Sequence, residues 1–438
     1  MKTYLDFLST LARNTEKAHA AYSRPLNWYH PYKSIDLEEK RNELFRELEP
    51  VLNWAFKRTK PYLGSLSPGC RICGEGDWSC LFVTGKCNAS CFYCPARQDD
   101  DGIPQTQKLL FDTPEKYAAY IRHFGVRGVS FSGGEPFLYF ERTLAYLKAV
   151  RKLCDPSVYC WMYTNGILVS DEKLKQLADA GLNEIRFDLG AVNYQTRVLN
   201  QAARFIPNVT VEIPAVPGDS ARLKEILPRL CDLGVSRLNL HLLRLTQHNA
   251  EKLLQHNYTY LHYEQPVVAE SELTALEIMQ FVCEQKLPIG VNYCSFAFKN
   301  RFQKAGFRRI MAKRLALPGE AITENGFLRK MEAADGNGIL SLETLLAGRE
   351  PYPPIVLSYS GRVPDNLGKL PGARNYVIGD TPYPLNEGLV AQAIRLLGDQ
   401  SAAFVHMMRE EGKTLPDDPV LFEVWKHEFI EEGLRDFF

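Results

Sequence analysis

Between residues 80 and 295 the chain alternates short apolar runs with amphipathic segments of helical period, and this alternation restricts the fold more than any other feature. The runs are CLFVTG (80–85), GVSFSG (128–133), VYCWMYTNG (158–166), EIRFDLG (184–190), VTVEIPAV (209–216), RLNLHLLRL (237–245) and PIGVNYCS (288–295). Helices are expected between them at Pro114–Phe124, Phe140–Leu153, Asp171–Ala180, Ala221–Leu233 and Glu270–Gln285. The first carries its own start signal, because Asp112 or Thr113 can cap it and Pro114 suits the first helical position. Strands separated by helices build βα units around a parallel sheet. Six or seven such units predict an α/β fold, a complete or partial barrel with its chemistry at the carboxyl ends of the strands.

The flanks read differently. Residues 1–66 suggest an amino-terminal helical cap, with Tyr4, Leu8 and Leu11 on one face and a second amphipathic run from Leu37 to Arg58. Pro61, Gly64, Pro68 and Gly69 then interrupt the pattern, and residues 67–300 form the expected barrel domain with a cysteine-rich entry loop. Residues 301–438 read as a carboxyl-terminal α+β extension. It has a strand at Ala321–Lys330, a Pro/Gly-rich segment, and helices at Asn386–Leu397, Ser401–Glu411 and Pro419–Arg435. The basic run at its start, from Lys299 and Arg301 to Lys313 and Arg314, reads either as a patch for a phosphate or carboxylate or as a solvated helix face.

Lys plus Arg and Asp plus Glu both number 52, so the balanced charge gives no support to nucleic acid or an anionic membrane as partner. No apolar run approaches the ~20 residues that span a bilayer, and the first residues lack a signal-peptide core. A cytoplasmic protein is expected.

Of the eleven cysteines, six crowd between Cys70 and Cys94, a distribution typical of metal binding rather than of a secreted disulfide framework. Cys87, Cys91 and Cys94 stand as C-x3-C-x2-C directly after the first apolar run. Three thiolates so close in sequence converge on a soft metal or an iron–sulfur cluster, and a cubane with three protein ligands leaves one iron open. The competing reading is a structural zinc knuckle completed by a histidine or a further cysteine. After the second run come Ser132, Gly133, Gly134, Glu135 and Pro136. Glycines there admit a ligand close to the backbone, and Glu135 can accept a charge-assisted hydrogen bond from an ammonium. Thr164 and Asn165 end the third run, and Asp188 lies in the fourth, where a polar residue satisfied at the strand end is one reading.

Taken together, C-x3-C-x2-C with Tyr93 before the last cysteine, and GGEP at the end of the second strand, resemble the radical S-adenosylmethionine (radical SAM) superfamily. The resemblance implies a partial (βα)6-type barrel and a catalytic 4Fe-4S cluster on Cys87, Cys91 and Cys94. It implies S-adenosylmethionine on the open iron, contacted by Tyr93, Ser132, Gly133, Gly134, Glu135, Pro136, Thr164, Asn165 and Asp188. It further implies reductive cleavage to a 5′-deoxyadenosyl radical, fed by a flavodoxin or ferredoxin-type donor and directed at a small-molecule or peptide/protein substrate. CRICGEG, LFVTGKCNASCFYCP and NYCSFAFK are similar to a branch related to pyruvate formate-lyase activating enzyme, which makes a glycyl-radical activase one alternative. A non-catalytic iron–sulfur electron-transfer protein is the other.

A second group, Cys70, Cys73 and Cys80 in PGCRICGEGDWSC, places a C-x2-C pair in a Gly-rich loop. With Cys294 as fourth ligand it would hold a second iron–sulfur cluster or zinc. Cys80 reads equally as a buried core residue, and Cys154, Cys160, Cys231 and Cys283 as core positions.

Overall fold

The structure, a computed structural model, describes residues 4–22, 25–263, 265–317, 320–323, 326–335, 338–340, 355–365, 372–383 and 433–435. The chain divides into two units, one of residues 8–299 with 432–438 and the other of residues 1–7 with 300–431.

In the first unit seven strands pair in parallel and in chain order: β1 (Trp78–Thr84), β2 (Gly128–Gly133), β3 (Tyr159–Thr164), β4 (Glu184–Phe187), β5 (Asn208–Pro214), β6 (Arg237–His241) and β7 (Gly290–Cys294). Six helices link them: α1 (Pro114–Phe124), α2 (Phe140–Leu153), α3 (Asp171–Asp179), α4 (Arg197–Ala203), α5 (Ser220–Asp232) and α6 (Ala269–Glu284). The α/β partial barrel expected from the alternation is thus the fold. Its two edges do not pair with each other. A hairpin of Asn53–Ala55 and Lys60–Leu63 joins β7, and one of Gln105–Thr106 and Leu109–Leu110 joins β1.

Strand alternation sorts the side chains. Leu81 and Val83, Val129 and Phe131, Ile185 and Phe187, and Leu238 and Leu240 are inaccessible to solvent and make the apolar layer beneath the helices. Each contributes about 1.5–3 kcal/mol by leaving water. The alternate positions carry polar groups instead, among them Ser130, Glu184, Arg186, Asn239 and Asn292, all nearly fully buried on the inner face. The helix starts follow the sequence: Thr113 Oγ1 accepts from the Lys116 N–H at 3.3 Å, Pro114 occupies the first position, and Gly125 at φ 65° ends α1. Asp112 pairs with Lys116 instead of capping.

Several expectations need correction. Cys70 and Cys73 lie not in a loop but on a helix, Pro68–Glu75. Ser67 accepts from the Cys70 N–H at 3.0 Å, Pro68 opens the helix and Gly76 at φ 74° closes it, so the glycines that looked like loop residues are a helix plus its stop. The amphipathic run from Leu37 ends at Leu48, because Pro50 follows and Phe56, Lys57 and Arg58 take positive φ at the tip of the edge hairpin. The strand expected at Ala321–Lys330 is two antiparallel strands, Ala321–Ile322 and Leu328–Asp335, with Gly326 at φ 80° between them. Helix α4 was not anticipated. In the second unit a helix, Lys304–Leu315, accompanies an antiparallel sheet that includes Leu328–Asp335, Ile355–Asp365 and Gly372–Tyr383. The helices expected at Asn386–Leu397 and Ser401–Glu411 lie outside the described residues. So does all but the end of Pro419–Arg435, whose residues Gly433–Arg435 are not helical.

Phe131→Ala, which empties a site beneath the helices, is expected to lower unfolding free energy by about 3–5 kcal/mol, and Thr113→Ala by about 1 kcal/mol. Urea unfolding monitored by circular dichroism checks both; equal effects would contradict this division between core and cap.

Candidate active site

The carboxyl ends of β1 to β4 meet in one connected group. Gly133 adopts φ 123°, and a Cβ there would stand 2.1 Å from the Thr84 carbonyl oxygen; at Gly134 it would stand 2.0 Å from that of Lys86. Only glycine permits this approach. In return the Gly134 N–H donates to Thr84 O at 2.7 Å and the Glu135 N–H to Lys86 O at 2.8 Å. The glycine motif and the start of the cysteine loop are therefore joined backbone to backbone.

Glu135 is almost wholly buried. Its carboxylate accepts from Thr164 Oγ1 at 2.8 Å, from the Asn165 N–H at 2.7 Å and from the Phe137 N–H at 3.0 Å. Burial raises its pKa, and these donors oppose the rise. Asn165 Nδ2 reaches Asn88 Oδ1 at 2.8 Å and Cys87 Sγ at 3.8 Å. Pro136 opens the turn Pro136–Tyr139 that this carboxylate caps, and Ser132 sits just before the glycines at the end of β2. Beside them Tyr93 donates to Asp188 Oδ1 at 2.8 Å, and the Asp188 N–H donates to Thr164 O at 2.9 Å. Burial pushes Asp188 up to about 6. Two residues after β6 fasten the loop from the far side: Asn249 Nδ2 donates to Tyr93 O at 3.0 Å and Thr246 Oγ1 to Pro95 O at 3.1 Å. Sequence reasoning missed both, since Asn and Thr in a loop read as ordinary turn residues.

The loop thiols are partly exposed. Burial, and then the negative charge of Asp188, push Cys91 up to about 12, while burial also raises Cys87. Cys91 feels both Cys87 and Cys94 electrostatically, yet among the described residues no three His, Cys, Asp or Glu side chains are placed to hold one metal ion. A tetrahedral zinc would require sulfurs ~3.8 Å apart, whereas a cubane takes each thiolate on a different iron and so accepts a wider set. Three thiols on one short loop fit a 4Fe-4S cluster that leaves one iron open, and its irons would supply positive charge that favours the thiolates of Cys87 and Cys91.

The inner face of the barrel continues the polar character. Arg186 lies between Glu184 (2.9 Å) and Glu212 (2.7 Å). Glu212 reaches His241 Nε2 at 2.5 Å, and Lys299 Nζ reaches His241 Nδ1 at 2.7 Å. Burial raises Glu212, but Arg186 and His241 outweigh it and hold the carboxyl below its usual range. Burial, reinforced by Lys299, holds His241 down to about 4, and burial brings Lys299 down to about 8. Lys299 and Arg301 of the basic run are thus inward or buried, while Lys304, Lys313 and Arg314 are exposed. Cys80 faces Ser130 and Ser132, and burial pushes it up to about 11. Cys70, Cys73 and Cys294 are buried and share Lys60 as a neighbour. None of the eleven cysteines forms a disulfide.

A partial parallel barrel with a three-thiol loop after its first strand, bonded to a Gly-Gly-Glu-Pro turn after its second, defines a class of enzymes that bind S-adenosylmethionine at an iron–sulfur cluster. The chain belongs to the radical SAM superfamily, whose signature matches residues 81–205. It is 31% identical over 277 residues to a protein of Methanocaldococcus jannaschii provisionally named a glycyl-radical enzyme activating enzyme, covering 60% of this chain and 72% of that one. It is 30% identical over 115 residues to a GTP 3′,8-cyclase of Clostridium perfringens, spanning 26% of this chain and 35% of the cyclase. Among solved structures, Streptococcus suis SuiB bound to S-adenosylmethionine aligns at TM-score 0.39 and 10% identity, over 69% of this chain and 65% of that one. Membership of the radical SAM superfamily makes this chain an enzyme of radical chemistry whose cofactors are a 4Fe-4S cluster and S-adenosylmethionine.

Gly134→Ala forces a methyl group onto a carbonyl and is expected to weaken S-adenosylmethionine binding at least ~10-fold, measured by anaerobic calorimetry. Wild-type affinity in a folded variant would contradict the role of that close approach. His241 has a depressed folded pKa, so its contribution to stability is full above about 6.5 and is lost as pH falls toward about 4. Wild type should lose about 1–3 kcal/mol more than His241→Gln over that window in urea titrations; parallel curves would show that His241 does not titrate in it.

Proposed function

We propose that Cys87, Cys91 and Cys94 hold the catalytic cluster, that Glu135, with Gly133 and Gly134, receives the methionine ammonium of S-adenosylmethionine, and that the substrate is a protein or peptide. When bound and reduced, the cluster supplies the electron that splits the sulfonium into methionine and a 5′-deoxyadenosyl radical. The chain's own part is placement. Gly133 and Gly134 leave room above the backbone, and the buried Glu135 offers a negative group whose orientation Thr164, Asn165 and Phe137 fix. Asp188, oriented by Tyr93 and the Gly190 N–H (3.1 Å), is positioned to accept from ribose hydroxyls. Ser132 and Pro136 border the same turn.

The observation that carries the substrate class is the 31% identity over 72% of a relative named for activating a glycyl-radical enzyme. The barrel edge supports it. Phe82 pairs with Gln105 and Gln105 with Leu110, which puts two apolar side chains, 46% and 60% exposed, beside the cysteine loop, a surface suited to a macromolecule. Among the described residues no helix is long and apolar enough to cross a membrane. We place the protein in the reducing cytoplasm, served by a flavodoxin or ferredoxin-type donor.

Anaerobically reconstituted protein with dithionite should release 5′-deoxyadenosine from S-adenosylmethionine, and Cys87→Ala should reduce that release at least ~100-fold; equal turnover sinks the loop assignment. Extract from cells grown in heavy water distinguishes the substrates, because hydrogen abstraction carries deuterium into 5′-deoxyadenosine. Label is expected from the fraction retained by ultrafiltration. Label from the small-molecule filtrate alone would refute a protein or peptide substrate.

A further inference from the structure

Cys70, Cys73 and Cys294 lie around a buried ammonium for which no ion pair with a carboxylate is found among the described residues. Lys60 is 1% exposed, and its Nζ lies 2.7 Å from Cys294 Sγ and 4.4 Å from the centre of the Phe298 ring. The groups that act on it most strongly are the thiols of Cys294, Cys70 and Cys73. A buried cation without an anion is costly, and here the groups able to become anions are thiols. The three are tied into one array. Cys70 and Cys73 sit three apart on the helix Pro68–Glu75 and so share a face. Asn239 Nδ2 donates to Cys70 Sγ at 3.4 Å, Asn292 donates to Asn239, and Cys294 Sγ donates to Asn292 Oδ1 at 3.4 Å. Register pairs Asn239 with Asn292, and antiparallel pairing of the edge hairpin with β7 brings Lys60 beside Cys294.

The helix is built to reach this place. A Cβ on Gly69 would stand 2.5 Å from Arg186 Nη2, and one on Gly74 2.1 Å from the Phe56 ring, so both glycines let it seat against the barrel interior. Cys80 is not part of the array, since its hydrogen-bonding neighbours are Ser130 and Ser132 on the β1–β2 side.

We propose that Cys70, Cys73 and Cys294 bind a second iron–sulfur cluster of the cubane type, with Lys60 as the buried cation that offsets its thiolate charge. A structural zinc ordinarily takes four protein ligands, and here there are three thiols, a count that suits a cubane with one iron left open. The site is separate from the loop at Cys87, Cys91 and Cys94, and the inference does not depend on that assignment.

The test is iron, sulfide and zinc analysis of the full chain after anaerobic reconstitution, with electron paramagnetic resonance of the reduced protein. Wild type should hold about eight irons and eight sulfides, and the triple variant Cys87→Ala/Cys91→Ala/Cys94→Ala about four of each with a cubane signal. Absence of iron from that variant, or about one zinc in its place, overturns the inference. The variant Cys70→Ala/Cys73→Ala should retain about four irons; retention of about eight would overturn the inference. Lys60→Met, made in the loop-variant background, keeps every thiol. Its remaining cluster should shift to lower potential, because a nearby positive charge favours the more negative, reduced state. An unchanged potential overturns the role of Lys60.

Discussion

The active end of this barrel depends on one carboxylate. Glu135 is buried, and it is stable there because two backbone N–H groups and a threonine hydroxyl satisfy it. Those donors come from the turn after β2 and from the end of β3, so a single side chain fixes the relative positions of two strand ends. The N–H of Glu135 itself bonds to Lys86 O, which extends the same fixation to the cysteine loop. Replacing the carboxylate by an apolar group would leave three donors buried without an acceptor, each costing about 1–3 kcal/mol. The atoms we propose to place the ligand are thus also the ones that hold the two strand ends together.

The two faces of the sheet solve different problems. Beneath the helices, Leu81, Val83, Val129 and Phe131 pack as an ordinary apolar core. On the inner face, Glu184, Arg186, Glu212, His241 and Lys299 form a run of ion pairs and hydrogen bonds where a stabilising design would use leucine and valine. Buried ion pairs seldom improve stability over an apolar replacement. Such a run is better understood as a preorganised polar surface, held in place before any substrate arrives.

Much of this was legible in the sequence. The period of the apolar runs located all seven parallel strands, and capping residues located the start of α1, because both signals are local and repeat. Three features were not legible. The edge hairpins consist of strands of two to four residues, too short to show a period. The helix Pro68–Glu75 was hidden by its own glycines, whose role is close packing against Arg186 and Phe56 and can be seen only once those partners are placed. Asn249 and Thr246 carry no signal, since what they do depends on the loop they meet from a strand more than 140 residues later in the chain.

The two groups of cysteines sit in opposite electrostatic settings. At the loop after β1 the near charges are negative: Cys91 senses Asp188 and Cys87 senses Glu135. Burial and those charges disfavour the thiolates of Cys87 and Cys91, a cost that a positive centre bound there would offset. Across the barrel, Cys294 meets an ammonium at 2.7 Å in an environment closed to solvent. There the fold supplies the cation in advance. The near charge is negative at one set of thiols and positive at the other, and this asymmetry is the physical ground on which we propose them as separate sites.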